Sequence, residues 1–292
     1  MNGLVVIDKP AGLTSHDVVN RWRRIAGTRR AGHLGTLDPM ATGVLLIVSG
    51  VATRLAPFFS ADQKVYEAEI TFGVVSDTYD AAGEVSETGA AIPGQFEIEQ
   101  ALGQFRGPLL QTPPPVSAKK IQGVPAYKLA RKKIPVDLPA VPVEIFELQM
   151  LFCAGDRVGV RIRCTSGTYM RGIAHDLGRA LSCGAVLSAL RRTSVGRFDI
   201  DAAYTLQGLA ALAESGKLGE AMISPARMLP AIPKQHVDEL VEQQIRNGRE
   251  FRTSPFTVLP GSPLVQAISR SGELVSIGEL RYPNVYHPKI VL

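Results

Sequence analysis

The chain has 292 residues, 45% apolar, 20% charged and 6% aromatic, so it can bury the core of one large or two unequal domains; neither disorder nor a coiled coil fits. Its 28 glycines and 20 prolines call for many tight turns but lack the density or period of a collagen-like or low-complexity chain. The net charge of +5, from 32 basic and 27 acidic residues, says little until those charges are placed along the chain.

Residues 3–7 predict a first strand, KPAGLTS a turn, and Ser15 the N-cap of a helix. In that helix Val18, Val19, Trp22 and Ile25 recur at helical spacing until Gly27. Residues 31–43 read as a glycine-punctuated loop, and 44–48 as a short, wholly apolar, buried strand. From 64 to 72 the sequence alternates, with Tyr66, Ala68, Ile70 and Phe72 on one face. GVVSDTYDAAGEV reads as a polar loop, 96–105 as a helix, and QTPPPVSAKK as an irregular proline-rich segment. Strands follow at 143–152 and 157–164, then a helix from about 168 to 181 and a strand near 185–193. Strands and helices mix without a βαβ rhythm, which predicts an α+β fold around a mixed, mainly antiparallel central sheet. A helix at 206–213 leads into AMISPARMLPAIPK, whose three prolines suggest a linker, and then into a small β-rich appendage with one helix near 237–246. The expected division is a catalytic domain over 1–229 and an appendage over 230–292.

The N-terminal stretch reaches Asp8 and Lys9 after four apolar residues, and the apolar run 44–48 is far short of the roughly 20 residues a membrane helix needs, so a soluble protein without a secretion signal is expected. Cys153, Cys164 and Cys183, 11 and 19 residues apart, match neither a disulfide framework nor a C-x-x-C pair, and a reducing cytoplasm is the simplest setting. There is no H-E-x-x-H pair and no phosphate-binding G-x-x-x-x-G-K-[ST] loop, so metal and ATP chemistry are not expected.

The basic residues are clustered. Residues 21–33 hold five arginines and no acid, 116–136 six basic residues and no acid, and 157–197 eight arginines against Asp176 alone. Three such stretches together suggest a polyanion footprint, with nucleic acid as the leading partner class.

The most unusual stretch is GHLGTLDPMATGVLLI. Pro39 biases Asp38 toward an extended backbone, and Gly32, Gly35 and Gly43 permit close approach of other chain around it. A carboxylate held there suits a base or a nucleophile, and to stay ionised beside a buried sheet it needs a cation. Arg171, in CTSGTYMRG at a strand-to-helix junction, is the natural candidate. On the residues alone, Asp38-Pro39 also reads as a turn, Tyr66 as a core tyrosine, His33 as a loop histidine and Arg171 as an exposed first-turn arginine.

That segment, with IDKPAGLTSHDVV, KVYEAEITFGVVSDTYDAAG, PPPVSAKKIQGVPAYKLAR, CTSGTYMRGIAHDLG and LRRTSVGRF, resembles bacterial TruB-type tRNA pseudouridine synthases in motif order over about residues 3–198. The resemblance implies a pseudouridine synthase fold with a cleft across the central sheet and a PUA-like C-terminal appendage. It implies that Asp38 is the essential nucleophile, that Tyr66 stacks on the target base and moves a proton, and that Arg171 pairs with Asp38. It further implies that His33 holds the flipped-out RNA conformation, that Lys9, Tyr169 and Leu190 complete the pocket, and that Asp80 contacts RNA. The sequence departs from the family after Arg131, where Lys132 and Lys133 stand in place of the usual continuation.

The implied reaction is isomerisation of the T-loop uridine at position 55 of tRNA, with no metal, nucleotide or other cofactor. The partner is the tRNA T-arm; neither a membrane nor an obligatory protein partner is expected. Two rivals are an RNA-folding chaperone with an idle pocket and a guide-dependent synthase working inside a ribonucleoprotein. The short C-terminal part, without a long basic tail, favours the stand-alone form.

Overall fold

In the computed structural model residues 1–116 and 138–292 are described throughout, together with the backbone of 120–121 and 124–125. The basic side chains expected at 116–136, including Arg131, Lys132 and Lys133, therefore lie outside the described residues.

The chain opens with β1 (Gly3–Lys9), helix α1 (Ser15–Ile25), β2 (Ala31–Leu34) and β3 (Thr42–Ser49), followed by a 3-10 turn over Gly50–Phe59 and β4 (Lys64–Phe72). A small hairpin, β5 (Val74–Ser76) with β6 (Val85–Glu87), precedes α2 (Gln95–Gly103) and β7 (Gly107–Gln111), after which the backbone pair β8 (Lys120–Ile121) and β9 (Val124–Pro125) is described. Next come β10 (Val141–Ala154), β11 (Arg157–Cys164), α3 (Met170–Ala180), β12 (Ala185–Val195), β13 (Phe198–Asp199), α4 (Leu206–Glu214) and α5 (Pro225–Met228). The strands assemble in the order β1-β3-β12-β4-β11-β10-β7, with β2 on β3 and β13 on β12.

Every pairing in this main sheet is antiparallel except β12 with β3, where Arg191 faces Thr42 and Arg192 faces Gly43. A Cβ on Gly43 would stand 2.2 Å from the Arg192 carbonyl oxygen, and Gly43 has φ of +98°, so only glycine lets these strands meet so closely. At one end of this order β1 and β3 are nevertheless apolar on both faces. Leu4, Val6, Val44 and Leu46 enter one buried cluster, while Val5, Ile7, Leu45 and Ile47 enter another beneath α1 and α4. On the other half, α2 and α3 cover the apolar face of β4 and β10–β12.

The structure shifts several expectations. Thr14, not Ser15, caps α1: its hydroxyl accepts the Asp17 amide while Asp17 reaches back to the Thr14 amide. Residues 31–34 are a strand, because pairing with β3 overrides the loop character of a glycine-bearing segment. The polar loop after β4 contains the β5–β6 hairpin. The segment read as a linker is packed rather than free: Leu4 and Ile223 exchange backbone hydrogen bonds at 2.9 and 2.8 Å, and Ala226 and Met228 are buried.

The C-terminal part holds β14 (Lys234–His236), α6 (Glu239–Arg246), β15 (Phe251–Arg252), β16 (Leu264–Ile268), β17 (Leu274–Tyr282) and β18 (Val285–Val291), in a sheet ordered β14-β16-β17-β18-β15. Its Ile268, Leu274 and Ile277 are buried in the same cluster as Leu4, Val48 and Phe59 of the first part. No helix among the described residues is long and apolar enough to cross a membrane.

Candidate active site

The loop joining β2 to β3 carries Asp38, and four side chains or backbone groups fix it. The Leu37 amide donates to Ser15 Oγ at 2.8 Å, and that hydroxyl donates back to the Leu37 carbonyl at 3.1 Å. The Pro39 carbonyl accepts from the Gly12 amide at 2.8 Å and from Lys9 Nζ at 3.2 Å. Arg192 donates to the carbonyls of Gly35, Thr36 and Val44 at 3.1, 3.5 and 2.7 Å. A loop without regular structure is thus held by partners from β1, α1 and β12, which satisfy carbonyls that would otherwise cost free energy when shielded from water.

Into this frame α3 projects Arg171. Its Nε donates to Asp38 Oδ2 at 3.0 Å and its Nη2 to Asp38 Oδ1 at 3.1 Å, a two-pronged pairing. Two further donors are used as well: Nη1 bonds the Thr78 carbonyl at 3.1 Å and Nη2 the Val116 carbonyl at 2.9 Å. The Arg171 side chain is 6% exposed and that of Asp38 32%, so the carboxylate keeps an open side while the guanidinium is locked. The open side meets a cavity of about 270 Å³ lined by Gly35, Lys64, Tyr66, Tyr169, Leu190 and Arg192, among others. That volume lies just below the usual range of small-molecule sites and suits one nucleoside rather than a strand.

Tyr66 lies at the centre of β4, directly opposite Arg192 on β12. Burial pushes its phenol pKa up, with the charge and hydrogen bond of Arg192 opposing that shift, so the hydroxyl is protonated near neutral pH. Leu190 closes one wall. Tyr169, the residue before α3, is held by Gln111 on β7, whose amide group accepts from the Tyr169 amide at 2.8 Å and donates to its carbonyl at 2.9 Å.

Asp38, Tyr66, Arg171, Tyr169 and Leu190 therefore share one cavity, as expected from their motifs. Three other expected residues stand elsewhere. Lys9 is fully buried behind the loop and does not line the cavity; desolvation lowers its pKa to about 8, and its contacts to the Pro10 and Pro39 carbonyls give it an anchoring place. His33 lines a separate shallow cavity with Arg23, Arg29 and Arg30. There its Nδ1 is buried without a hydrogen-bond partner among the described residues, and burial, then the Arg192 charge, lowers its pKa. Asp80 is 5% exposed rather than open to a macromolecule. Its Oδ2 sits 3.6 Å from Arg171 Nε, and its Oδ1 accepts from Thr78 Oγ1 at 2.7 Å and the Ala82 amide at 3.0 Å. The polar loop reads as exposed because only the folded chain brings α3 against it.

Two residues of the site escaped the sequence reading. Lys64 precedes Tyr66 by two and so shares its strand face; it is 6% exposed and donates to Ser166 Oγ at 2.7 Å. Arg192 follows Leu190 by two and is 0% exposed. The period of two that placed Tyr66 on its face also carries Lys64, and the same spacing sets Arg192 with Leu190; charge made both cations look solvent-facing.

Residues 23–170 match the TruB family pseudouridylate synthase N-terminal domain, and residues 171–229 match the tRNA pseudouridylate synthase B C-terminal domain. The chain is 50% identical to the tRNA pseudouridine synthase B of Solibacter usitatus over 293 aligned positions, covering 100% of each. It is 46% identical to the enzyme of that name from Mycobacteroides abscessus over 85% of this chain and 83% of the relative. Among solved structures, an H/ACA RNP bound to a substrate RNA containing 2′-deoxyuridine has a chain that superposes with a TM-score of 0.71 over 99% of this chain and 84% of its own, at 22% identity. That likeness concerns the fold.

Proposed function

The chain belongs to the TruB family of pseudouridylate synthases and forms pseudouridine in tRNA; we propose that its target is the T-loop uridine at position 55 and that Asp38 carries the reaction. The observation that carries this reading is the forked Asp38–Arg171 pair at the mouth of a nucleoside-sized cavity floored by Tyr66.

The isomerisation breaks the N1–C1′ glycosidic bond and forms a C5–C1′ bond; C5 loses a proton and N1 gains one, with no net redox change. An ionised Asp38 serves each of three routes: attack at C1′, attack at C6, or removal of a proton from C2′. Arg171 offers a fixed fork of donors that orients the carboxylate without competing for its open face. Tyr66, kept protonated by its burial, offers a ring for stacking on the base and a relay for the proton: its hydroxyl gives a proton to N1, and the phenolate so formed takes the one leaving C5. The cavity admits a nucleoside only after it leaves its stack, at a cost of a few kcal/mol. The arginines of 21–33 supply phosphate contacts to offset that cost, whereas in 157–197 Arg157, Arg163, Arg171 and Arg191 are paired with carboxylates and Arg192 is buried.

The stand-alone form is supported by a full-length match to a curated bacterial relative. A soluble, cytosolic enzyme acting on the tRNA T-arm without a protein partner is the corresponding reading. The test is to incubate the purified protein alone with an unmodified tRNA transcript and map pseudouridine by chemical labelling. Conversion at position 55, lost in Asp38→Asn with tRNA binding kept, is expected. Binding without conversion by the unsubstituted protein would leave only an RNA chaperone.

A further inference from the structure

The charges around the cavity are unevenly matched. Arg171 faces two carboxylates, Asp38 and Asp80. Lys64 and Arg192, which line the same cavity, form no ion pair among the described residues, although they are 6% and 0% exposed. The three carbonyls bound by Arg192 take three of its five donors but carry no charge to answer its own. Lys64 is less accounted for: of three ammonium donors, the Ser166 hydroxyl takes one. Apart from the Asp62 carboxylate, which acts on Lys64 without forming an ion pair, the described residues set no counter-charge against these two cations, and such a pair is costly unless an anion completes it.

Gly35 gives the place for that anion. A Cβ there would stand 3.5 Å from Arg192 Nη1 and 4.0 Å from Lys64 Nζ, so both cations border the space that a side chain would fill. The glycine, at φ of +95°, leaves that space open to the cavity beside Asp38.

Resting on the proposed function, we infer that Lys64, Arg192 and Ser166 form a subsite for one backbone phosphate flanking the flipped uridine. A base carbonyl offers an acceptor but no charge, whereas a phosphodiester answers two cations and accepts from the Ser166 hydroxyl as well. Anchoring the phosphate beside Gly35 fixes how the sugar approaches Asp38 in the same loop, so the subsite sets the register of the nucleotide. Burial, with repulsion from Arg192, already lowers the Lys64 pKa to about 8, the direction expected of a cation awaiting its counter-charge.

The experiment is a cycle of binding measurements on an RNA hairpin carrying the T-arm sequence. In two variants of the hairpin, the phosphate 5′ or 3′ to the target uridine is an uncharged methylphosphonate, each compared with a control of matched sugars. With the unsubstituted protein, neutralising the correct phosphate should weaken binding about tenfold, and Lys64→Met should do the same on the control hairpin. Combining both should cost no more than either alone, and Lys64→Met should lower the slope of log affinity against log salt by about 0.7–0.9. Lys64→Arg should retain most of the affinity. Equal methylphosphonate losses in the unsubstituted and Lys64→Met proteins at both positions would overturn the subsite. If Lys64→Met does not fold, Ser166→Ala in the same cycle decides, since removing the tether should shrink the methylphosphonate effect. Conversion of the control hairpin by the unsubstituted protein is scored separately, so a failure of the proposed function is told apart from a failure of the subsite.

Discussion

Arg171 grips Asp38 through two near-parallel hydrogen bonds of 3.0 and 3.1 Å, across 133 positions of sequence. The fork fixes the plane of the carboxylate as well as its charge, and a lysine in the same place supplies only the charge. Arg171→Lys should therefore lower single-turnover isomerisation on the order of a hundredfold, with tRNA affinity nearly unchanged. Arg171→Met should in addition destabilise the fold by about 3–5 kcal/mol in urea titration, because Asp80 is then buried without a counter-charge. Unchanged turnover in Arg171→Lys would show that orientation of Asp38 is unimportant.

Asp80 acts on this pair from behind. Its carboxylate accepts from Thr78 and Ala82 while lying 3.6 Å from Arg171 Nε, so it holds the loop that supplies the Thr78 carbonyl to the same guanidinium. Asp80→Asn should lower kcat more than it raises KM, whereas a residue that touched RNA would show the opposite split. Steady-state kinetics on a tRNA transcript separate the two.

The same loop is stapled to α3 by a second contact. Tyr79 and His175 stack with ring centroids 3.8 Å apart and an angle of 7° between their planes, and Tyr79 has a φ of 64°, in the left-handed region that bulky residues avoid. The stack offsets that strain and sets the loop one helical turn from Arg171. Tyr79→Phe keeps the ring and should retain near-normal turnover, while Tyr79→Ala should lose about tenfold in kcat. Turnover in Tyr79→Ala equal to that of Tyr79→Phe would rule the staple out.

The limits of sequence reading follow from which interactions are local. The strands 64–72 and 157–164 were legible to the residue, because alternation along each is written by its own buried face. The mainly antiparallel α+β fold was legible from the same periods. The strand 31–34 was not, since its order comes from β3 rather than from its own glycine-bearing sequence. At the site, the motifs brought Asp38, Arg171 and Tyr66 together, and all three line one cavity. Lys64 was passed over because charge predicts exposure unless the partner is known, and the buried positions of Lys9, Asp80 and Lys64 all depend on partners from distant segments.

The packing between the two parts of the chain is also tertiary information. Ile277 is 0% exposed and belongs to the buried cluster that includes Leu4 and Val48. Ile277→Ala should cost about 2–5 kcal/mol in a single cooperative transition. A separate early transition of the C-terminal sheet would show instead that the two parts unfold independently.

Lys9 and Lys64 give the protein a dependence on alkaline pH. Burial brings each to a pKa of about 8, against 10.5 for the same group in water. Between those values the unfolded chain binds more protons than the folded one, so the free energy of unfolding rises with pH through that window and is flat in these groups below it. Cys164 acts in the opposite sense: burial raises its thiol from 9.0 to about 11, so above pH 9 the folded state holds the extra proton and stability is withdrawn. The rise is therefore cleanest from pH 8 to 9, where each lysine contributes at most about 1.4 kcal/mol per pH unit. Urea midpoints should increase across that interval and flatten progressively in Lys64→Met and Lys9→Met. Lys9→Met should also slow isomerisation, because the Pro39 carbonyl loses a donor behind Asp38, and a midpoint that falls between pH 8 and 9 would contradict the burial of both ammonium groups.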